Sequence, residues 1–317
     1  MKFRIAALSL AAVLLAGIAV TYVWFARQAQ PAPAAVSPVT LESGLLVVLN
    51  RRLAVIDGSG AARVSAVECV RVYAAAGTGV CLQPESPWAY HLSVLDSSLT
   101  TTKTLPLPGL PNRARVSASG RMVAWTTFVG GDSYASGGFS TRTGIIDTKE
   151  GTVISTLEDF AITREGKAYQ NIDVNFWGVT FAADDDRFYA TLGTDGKRYL
   201  VEGSVKSRTV RTIVSNVECP SLSPDETKVA FKQAVNADPQ QGWRLSVLDL
   251  KTLAVTHTAE TRSIDDQAAW LKPGTIAYTV RDSAGDPSVW TVSADGTGQP
   301  QLLAPGAESP ATLGNHL

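Results

Sequence analysis

Side chains that do chemistry are scarce in this chain. Its 317 residues include three histidines, His91, His257 and His316, and three cysteines, Cys69, Cys81 and Cys219. A serine hydrolase needs a nucleophile, a base and a group that orients the base. Here His316 is one residue from the end, and no Gly-x-Ser-x-Gly elbow occurs. There is no His-Glu-x-x-His and no Cys-x-x-Cys, so the spacing of a zinc site is missing. No Gly-rich stretch leads into Lys-Ser or Lys-Thr, which argues against a phosphate-cradling loop. Positive charge is not concentrated either. Setting aside residues 1–35, which carry Lys2, Arg4 and Arg27 and no acid, 25 basic side chains face 29 acidic ones. Without a basic stripe, a nucleic-acid partner is not expected. The densest acidic run, Asp184-Asp185-Asp186, reads as a solvated turn, because calcium needs about six to eight oxygen ligands. No catalytic residue, cofactor or metal is expected.

One long apolar run is present. Ile5 to Ala26 is uncharged and follows Lys2 and Arg4. As a helix at ~1.5 Å per residue, it spans the ~30 Å hydrocarbon core. The basic flank places the N-terminus inside and the rest of the chain outside. A retained signal anchor over 1–27 is expected. Cleavage of a signal peptide near Ala32-Pro33-Ala34, giving a secreted chain, is the alternative. Residues 28–43, rich in Ala, Pro and Gln, read as a flexible tether. This topology puts all three cysteines in a compartment that permits disulfides. Cys69 and Cys81 flank a hairpin-like segment containing Ala-Ala-Ala-Gly-Thr-Gly, and a bridge between them is expected if the strand register suits. Cys219 is expected to be free and buried.

Repetition dominates what remains. One strand phrase occurs six times: Arg52-Leu-Ala-Val-Ile-Asp57, His91-Leu-Ser-Val-Leu-Asp96, Arg142-Thr-Gly-Ile-Ile-Asp147, Arg198-Tyr-Leu-Val-Glu-Gly203, Arg244-Leu-Ser-Val-Leu-Asp249 and Ser288-Val-Trp-Thr-Val-Ser293. The intervals between their last residues are 39, 51, 56, 46 and 44, the period of four-stranded propeller blades. A strand–turn–strand phrase precedes the copies, most clearly Ser221-Leu-Ser-Pro-Asp-Glu-Thr-Lys-Val-Ala-Phe231. Each unit is therefore strand a, turn, strand b, loop, strand c, turn, strand d. Five units are complete, over about 67–107, 111–158, 174–215, 216–260 and 263–305. The first, starting at Gly44, lacks strand a. Glu308-Ser-Pro-Ala-Thr-Leu313 echoes Glu218-Cys-Pro-Ser-Leu222 and is expected to supply it, closing the ring. The fold class is all-β, a six-bladed β-propeller over 44–317, preceded by a transmembrane helix.

Leu222-Ser-Pro-Asp-Glu-Thr-Lys-Val-Ala-Phe231, followed by Leu245-Ser-Val-Leu-Asp-Leu-Lys-Thr252, resembles the repeat of TolB-type six-bladed propellers. The resemblance covers about 44–313 and is closest in 216–260. TolB carries a further α/β domain ahead of its propeller, for which this chain has no room. The resemblance implies the fold and a habit of binding other proteins.

Two surfaces are candidates for the site. Aligning the a strands on Pro220 brings Glu218 level with Glu308, Cys69, Asn112, Trp177 and Asp266. Strand a lines a propeller's channel, so Glu218, Asp266 and Glu308 would form an acidic mouth that repels itself and attracts a cation or basic peptide. The competing reading is three carboxylates that merely start strands in water. The second surface is the b–c loop face, with Trp88, Tyr90, Phe128, Tyr134, Phe139 and Trp243 as aromatic anchors. The competing reading is that these rings cap blade ends. Trp125, Phe231 and Trp270 lie in the core phrases and read as packing.

The sequence thus points to a membrane-tethered propeller in the periplasmic or extracellular space. It reads as a monomer that binds an envelope protein or peptide without catalysis. An enzyme or a sensor of a small ligand or cation at the channel mouth is the alternative, because propellers host several chemistries.

Overall fold

A computed structural model describes residues 39–86, 89–130 and 140–314. The anchor and the tether up to residue 38 lie outside that range, as do Trp88, Tyr134, Phe139 and the last three residues. No helix among the described residues is long and apolar enough to cross a membrane.

Blade 1 opens with β1 (Gly44–Leu49), β2 (Arg52–Ile56) and β3 (Ala62–Glu68). Blade 2 follows as β4 (Arg71–Ala75), β5 (Thr78–Ser86), β6 (Ala89–Leu95) and β7 (Thr101–Leu107). Blade 3 is β8 (Leu110–Val116), β9 (Met122–Val129), β10 (Ser140–Asp147) and the short β11 (Val153–Ile154). A hairpin, β12 (Ala161–Arg164) and β13 (Lys167–Tyr169), precedes blade 4, which is β14 (Asn175–Phe181), β15 (Arg187–Thr194), β16 (Lys197–Ser204) and β17 (Thr209–Ser215). Blade 5 is β18 (Glu218–Leu222), β19 (Lys228–Ala234), β20 (Trp243–Asp249) and β21 (Val255–His257). Blade 6 is β22 (Ala269–Lys272), β23 (Thr275–Arg281), β24 (Pro287–Ser293) and β25 (Gln301–Pro305). The last strand, β26 (Ala307–Leu313), lies antiparallel to β1, with Gly44 opposite Leu313 and Val48 opposite Glu308. The C-terminal strand therefore completes the first blade, as the echo of Glu218–Leu222 in Glu308–Leu313 predicts.

The six-fold strand phrase is the third strand of each blade. Its buried positions, such as Leu53 and Val55 in β2 or Leu245 and Val247 in β20, pack between neighbouring sheets. Its closing Asp builds the next turn. Asp57 accepts from the Ser59 and Ala61 amides at 2.9 and 3.1 Å, Asp96 from Ser98 and Thr100, and Asp249 from Lys251 and Thr252. An Asp side chain folded onto the amides that follow it mimics a backbone turn. The Ser59 hydroxyl, the Ser98 hydroxyl and the Thr252 amide are the strongest of the bonds that hold these carboxyls below the usual range.

Trp125, Phe231 and Trp270 are buried between blades, as packing residues should be. The Trp125 ring packs against Gly144, where an added Cβ would stand 2.2 Å from the indole, so only glycine admits the ring.

The strap over 157–169 is not visible in the repeat. Strand β12 pairs in parallel with β17, and β13 adds outside it, giving blade 4 six strands. Leu157, Phe160 and Ile162 are buried against Phe188 and Val210 of blade 4, with the Phe160 ring edge-on to Phe188 at 6.0 Å. Burial of those three side chains fixes the strap and covers the blade's outer edge.

Candidate functional site

Antiparallel pairing brings the starts of the first strands and the b–c loops to the same end of the ring. Glu218, first in β18, faces Lys232 near the end of β19, and two residues on Ala234 faces Trp243, first in β20. Leu110 of β8 faces Phe128 of β9 in the same way. The channel mouth and the loop face are therefore one surface rather than two rival ones.

Bulges decide which side chains enter the channel there. Strands β14, β18 and β26 each break register after the aligned position, Trp177, Glu218 or Glu308. In each case the next residue is left-handed: Gly178 at φ +66°, Cys219 at +49° and Ser309 at +59°. A bulge re-aims the side chains around it. In β8 the break falls between Pro111 and Arg113, leaving Asn112 unpaired and sending Arg113 inward beside Cys219, with Nε 3.4 Å from Sγ.

The carboxylates are at the mouth, but the mouth is not acidic. Glu218 is buried and ion-paired with Arg198 and, at 3.4 Å, with Lys232. Asp266 is buried, accepts from the Gln267 and Thr279 amides at 2.9 and 3.0 Å, and lies 3.4 Å from Arg71. Glu308 pairs with Arg281 and lies 3.9 Å from Arg71. A fourth carboxylate, Asp265, binds Lys232 at 2.6 Å and Arg113 at 3.1 Å. Deeper in, Arg115 is buried, donates to the Ala268 carbonyl at 3.0 Å and stacks 4.3 Å above Tyr73. Six cations thus meet four carboxylates. The expected mutual repulsion of Glu218, Asp266 and Glu308 is corrected: each carboxylate has a cation, because isolated buried charges are too costly to keep. Burial pushes Glu218 up, with Lys232 and Arg198 opposing it. Burial also acts to raise Asp265, but Lys232 and Arg113 outweigh it and hold the carboxyl at about 2.

The sequence reading missed these cations because it compared one position of the first strands. Lys232 and Arg281 arrive from second strands and Arg198 from a third. The alternating inward positions Arg113 and Arg115 of β8 were the available signal. Between Arg71, Asn112, Arg113, Ser263, Asp266 and Arg281 lies a mouth cavity of about 270 Å³. A smaller void of about 20 Å³ sits beneath it, reaching Arg115 and Gln267 and sharing Arg71, Arg113 and Asp266 with the first.

The three described aromatic candidates are strand-end residues rather than loop residues. Tyr90 sits in β6, half-buried against the core between blades 2 and 3. Phe128 sits in β9, half-buried, opposite Thr141 and Leu110. Trp243 begins β20, with Lys232 Nζ 4.2 Å and Arg198 5.8 Å from its ring, so it roofs the buried lysine.

Elsewhere the polar groups are spent on structure. Ser246 joins His257 Nδ1 and Gln233 at 3.0 Å each, but Ser246 is fully buried inside blade 5, out of a substrate's reach. His91 and Ser93 share Gln83 in blade 2 in the same manner. Asp184 accepts from the Asp186 and Arg187 amides, Asp185 from Ser119, and Asp186 from Ser204 and Lys206, so the acidic run holds turns together. Among the described residues no group of three or more His, Cys, Asp or Glu is placed to hold a metal. Cys69 and Cys81 form a disulfide, Cα atoms 5.5 Å apart, and Cys219 is free and buried.

The molecule is thus a six-bladed β-propeller with an ion-paired channel mouth at its b–c end. Among solved structures it is similar to TolB from Acinetobacter baumannii, at 16% identity over 86% of this chain and 67% of that one, with a TM-score of 0.63. It also resembles a chain of the nidogen/laminin complex, at 8% identity over 87% of this chain and all of that one, with a TM-score of 0.56. A putative TolB from Agrobacterium tumefaciens matches at 12% identity over 86% and 93%, with a TM-score of 0.52. No protein-family model and no curated protein matches the sequence. The chain has the TolB-like propeller fold.

Proposed function

We propose that this chain is a non-catalytic binding module of the cell envelope, held outside the membrane by its N-terminal anchor, which receives a protein or peptide partner on its b–c end. The observation that carries the reading is the meeting of Trp243, the ion-pair network and the mouth cavity at that one end. Aromatic rings beside partly desolvated cations are the usual make-up of a protein-binding hot spot. One propeller of similar fold comes from a complex between two proteins, nidogen and laminin. Burial of Ser246 beside His257 and of Ser93 beside Gln83 keeps both hydroxyls from a substrate, which speaks for binding over hydrolysis.

Capture from detergent-solubilised envelope with the full chain as bait tests this. Trp243→Ala should weaken capture at least about tenfold, while Leu253→Ala, on the turn between β20 and β21 at the other end, should leave it unchanged. Capture that survives Trp243→Ala and is lost with Leu253→Ala would place the partner on the opposite end.

A further inference from the structure

The ion pairs at the mouth are lopsided. Arg113 and Lys232 are almost wholly buried, with side chains 6% and 5% exposed, yet the carboxylate they share, Asp265, is 75% exposed. Asp265 sits in the segment between β21 and β22, outside any strand, and reaches over the mouth from the solvent side. One oxygen of it accepts from both cations, at 3.1 and 2.6 Å. Arg71 lines both the mouth cavity and the smaller void beneath it, and Arg115 lines that void. No carboxylate among the described residues lies within ion-pair distance of Arg115, and its Nε is buried without an acceptor. Six cations against four carboxylates leave the network with excess positive charge, and Arg115 has no carboxylate partner, in surroundings where burial makes a charge demand one.

We propose that the mouth is a carboxylate-binding site that takes the free C-terminus of a partner polypeptide, with Asp265 as the resident carboxylate that the incoming one replaces. The site rests on the module reading above and gives its ligand class. Three features select the chemistry. Arginine forks and a buried ammonium match a carboxylate. The chain's own Asp265 already fills that role from an exposed segment. The space is also small: a mouth cavity of about 270 Å³ shares Arg71, Arg113 and Asp266 with a void of about 20 Å³, room for about one water-sized group. A chain terminus fits so small a space, whereas an internal acidic residue would have to carry two strands of backbone in with it. Asp266, Asn112 and Ser263 along the wall offer acceptors to the last peptide N–H groups.

Chemical rescue tests the site in the full chain. Asp265→Asn leaves Arg113 and Lys232 without their shared anion. Sodium acetate should then raise the melting midpoint of the variant by roughly 2–4 °C more than sodium chloride at equal ionic strength, with a smaller difference in the parent chain. Equal shifts in the two salts would overturn the carboxylate site. The second arm needs no folded variant at position 265. An N-acetylated random pentapeptide pool, half free acids and half C-terminal amides, is passed over the immobilised parent chain. The free acids should be enriched about tenfold or more, and Arg71→Gln should erase the enrichment. Equal retention of acids and amides, or no retention of either, overturns the C-terminal assignment. Equal retention lost with Trp243→Ala would sink the carboxylate site and keep the module. Acid-selective retention in a chain that captures nothing from the envelope would do the reverse.

Discussion

The third strands and the first strands of the blades follow opposite rules. Pairing of the third strand with the second runs without a register break in five blades. Pairing of the first strand with the second breaks register in five. Blade 2 reverses both rules, and it is the blade whose second strand is tied by the Cys69–Cys81 disulfide. Regular pairing puts alternate side chains into the core and makes the blades alike. Broken pairing turns individual residues into the channel and makes the blades different. The scaffold therefore lives in the third strands, while bulged first strands bring Glu218, Arg113 and Glu308 to the mouth, where Arg71 joins them from the unbroken first strand of blade 2 and Lys232, Arg281 and Arg198 from other strands.

Removing a whole first strand should have the largest effect. Deletion of residues 306–317 takes away β26, strips β1 of one of its two partners and uncovers Leu46 and Leu53 of the cluster that Ala311 and Leu313 help to fill. The cooperative thermal transition should be lost for the entire ring, and an unchanged calorimetric midpoint would show that closure by the C-terminus is dispensable.

A smaller break of the same contrast is Gly178→Ala. Gly178 has φ +66°, and an added Cβ would stand 2.7 Å from Cys219 Cα, so both conformation and space forbid it. A loss of about 3 kcal/mol in denaturant unfolding is expected. A loss of no more than about 0.5 kcal/mol, the usual range for surface positions, would mean the bulge is not constrained.

In blade 2 the exception can be sharpened. Replacing Cys69 and Cys81 by serine removes a crosslink over a separation of 12 residues and should cost about 2–3 kcal/mol under non-reducing conditions. If the parent chain and the variant unfold at the same urea concentration, the bridge is not formed in solution.

The smallest effect is a pH dependence. Burial acts to raise Asp265, but Lys232 and Arg113 hold it at about 2, so its pairs contribute stability above about pH 4 and lose it as pH falls towards 2. Glu218, raised by burial, works in the opposite direction. Asp265→Asn should flatten the fall of the melting midpoint between about pH 4 and 2. An unaltered acid limb would mean that Asp265 is not ion-paired in solution.

How much of this was legible follows the same divide. The six third strands repeat a phrase and are read directly from it, together with the missing first strand before Gly44 and its replacement at Glu308. The strap over 157–169 was not legible, because it belongs to no repeat and is fixed by Leu157, Phe160 and Ile162 against blade 4. At the mouth, the aligned carboxylates were found but their surroundings were inverted. A bulge at Asn112 hands the inward position to Arg113, and Lys232, Arg198 and Arg281 come from strands that the alignment did not compare. Charge in a propeller channel is a sum over several strands per blade, whereas the phrase reports one.

The central claim is that a partner docks on the b–c end, over the mouth. A benzophenone amino acid placed at Ala284, exposed in the loop between β23 and β24, and separately at Leu253, exposed at the other end of the ring, tests it in the full chain mixed with cell-envelope extract. Irradiation should give a covalent adduct from position 284 and none from 253. An adduct from 253 alone, or the same adduct from both, would contradict the account.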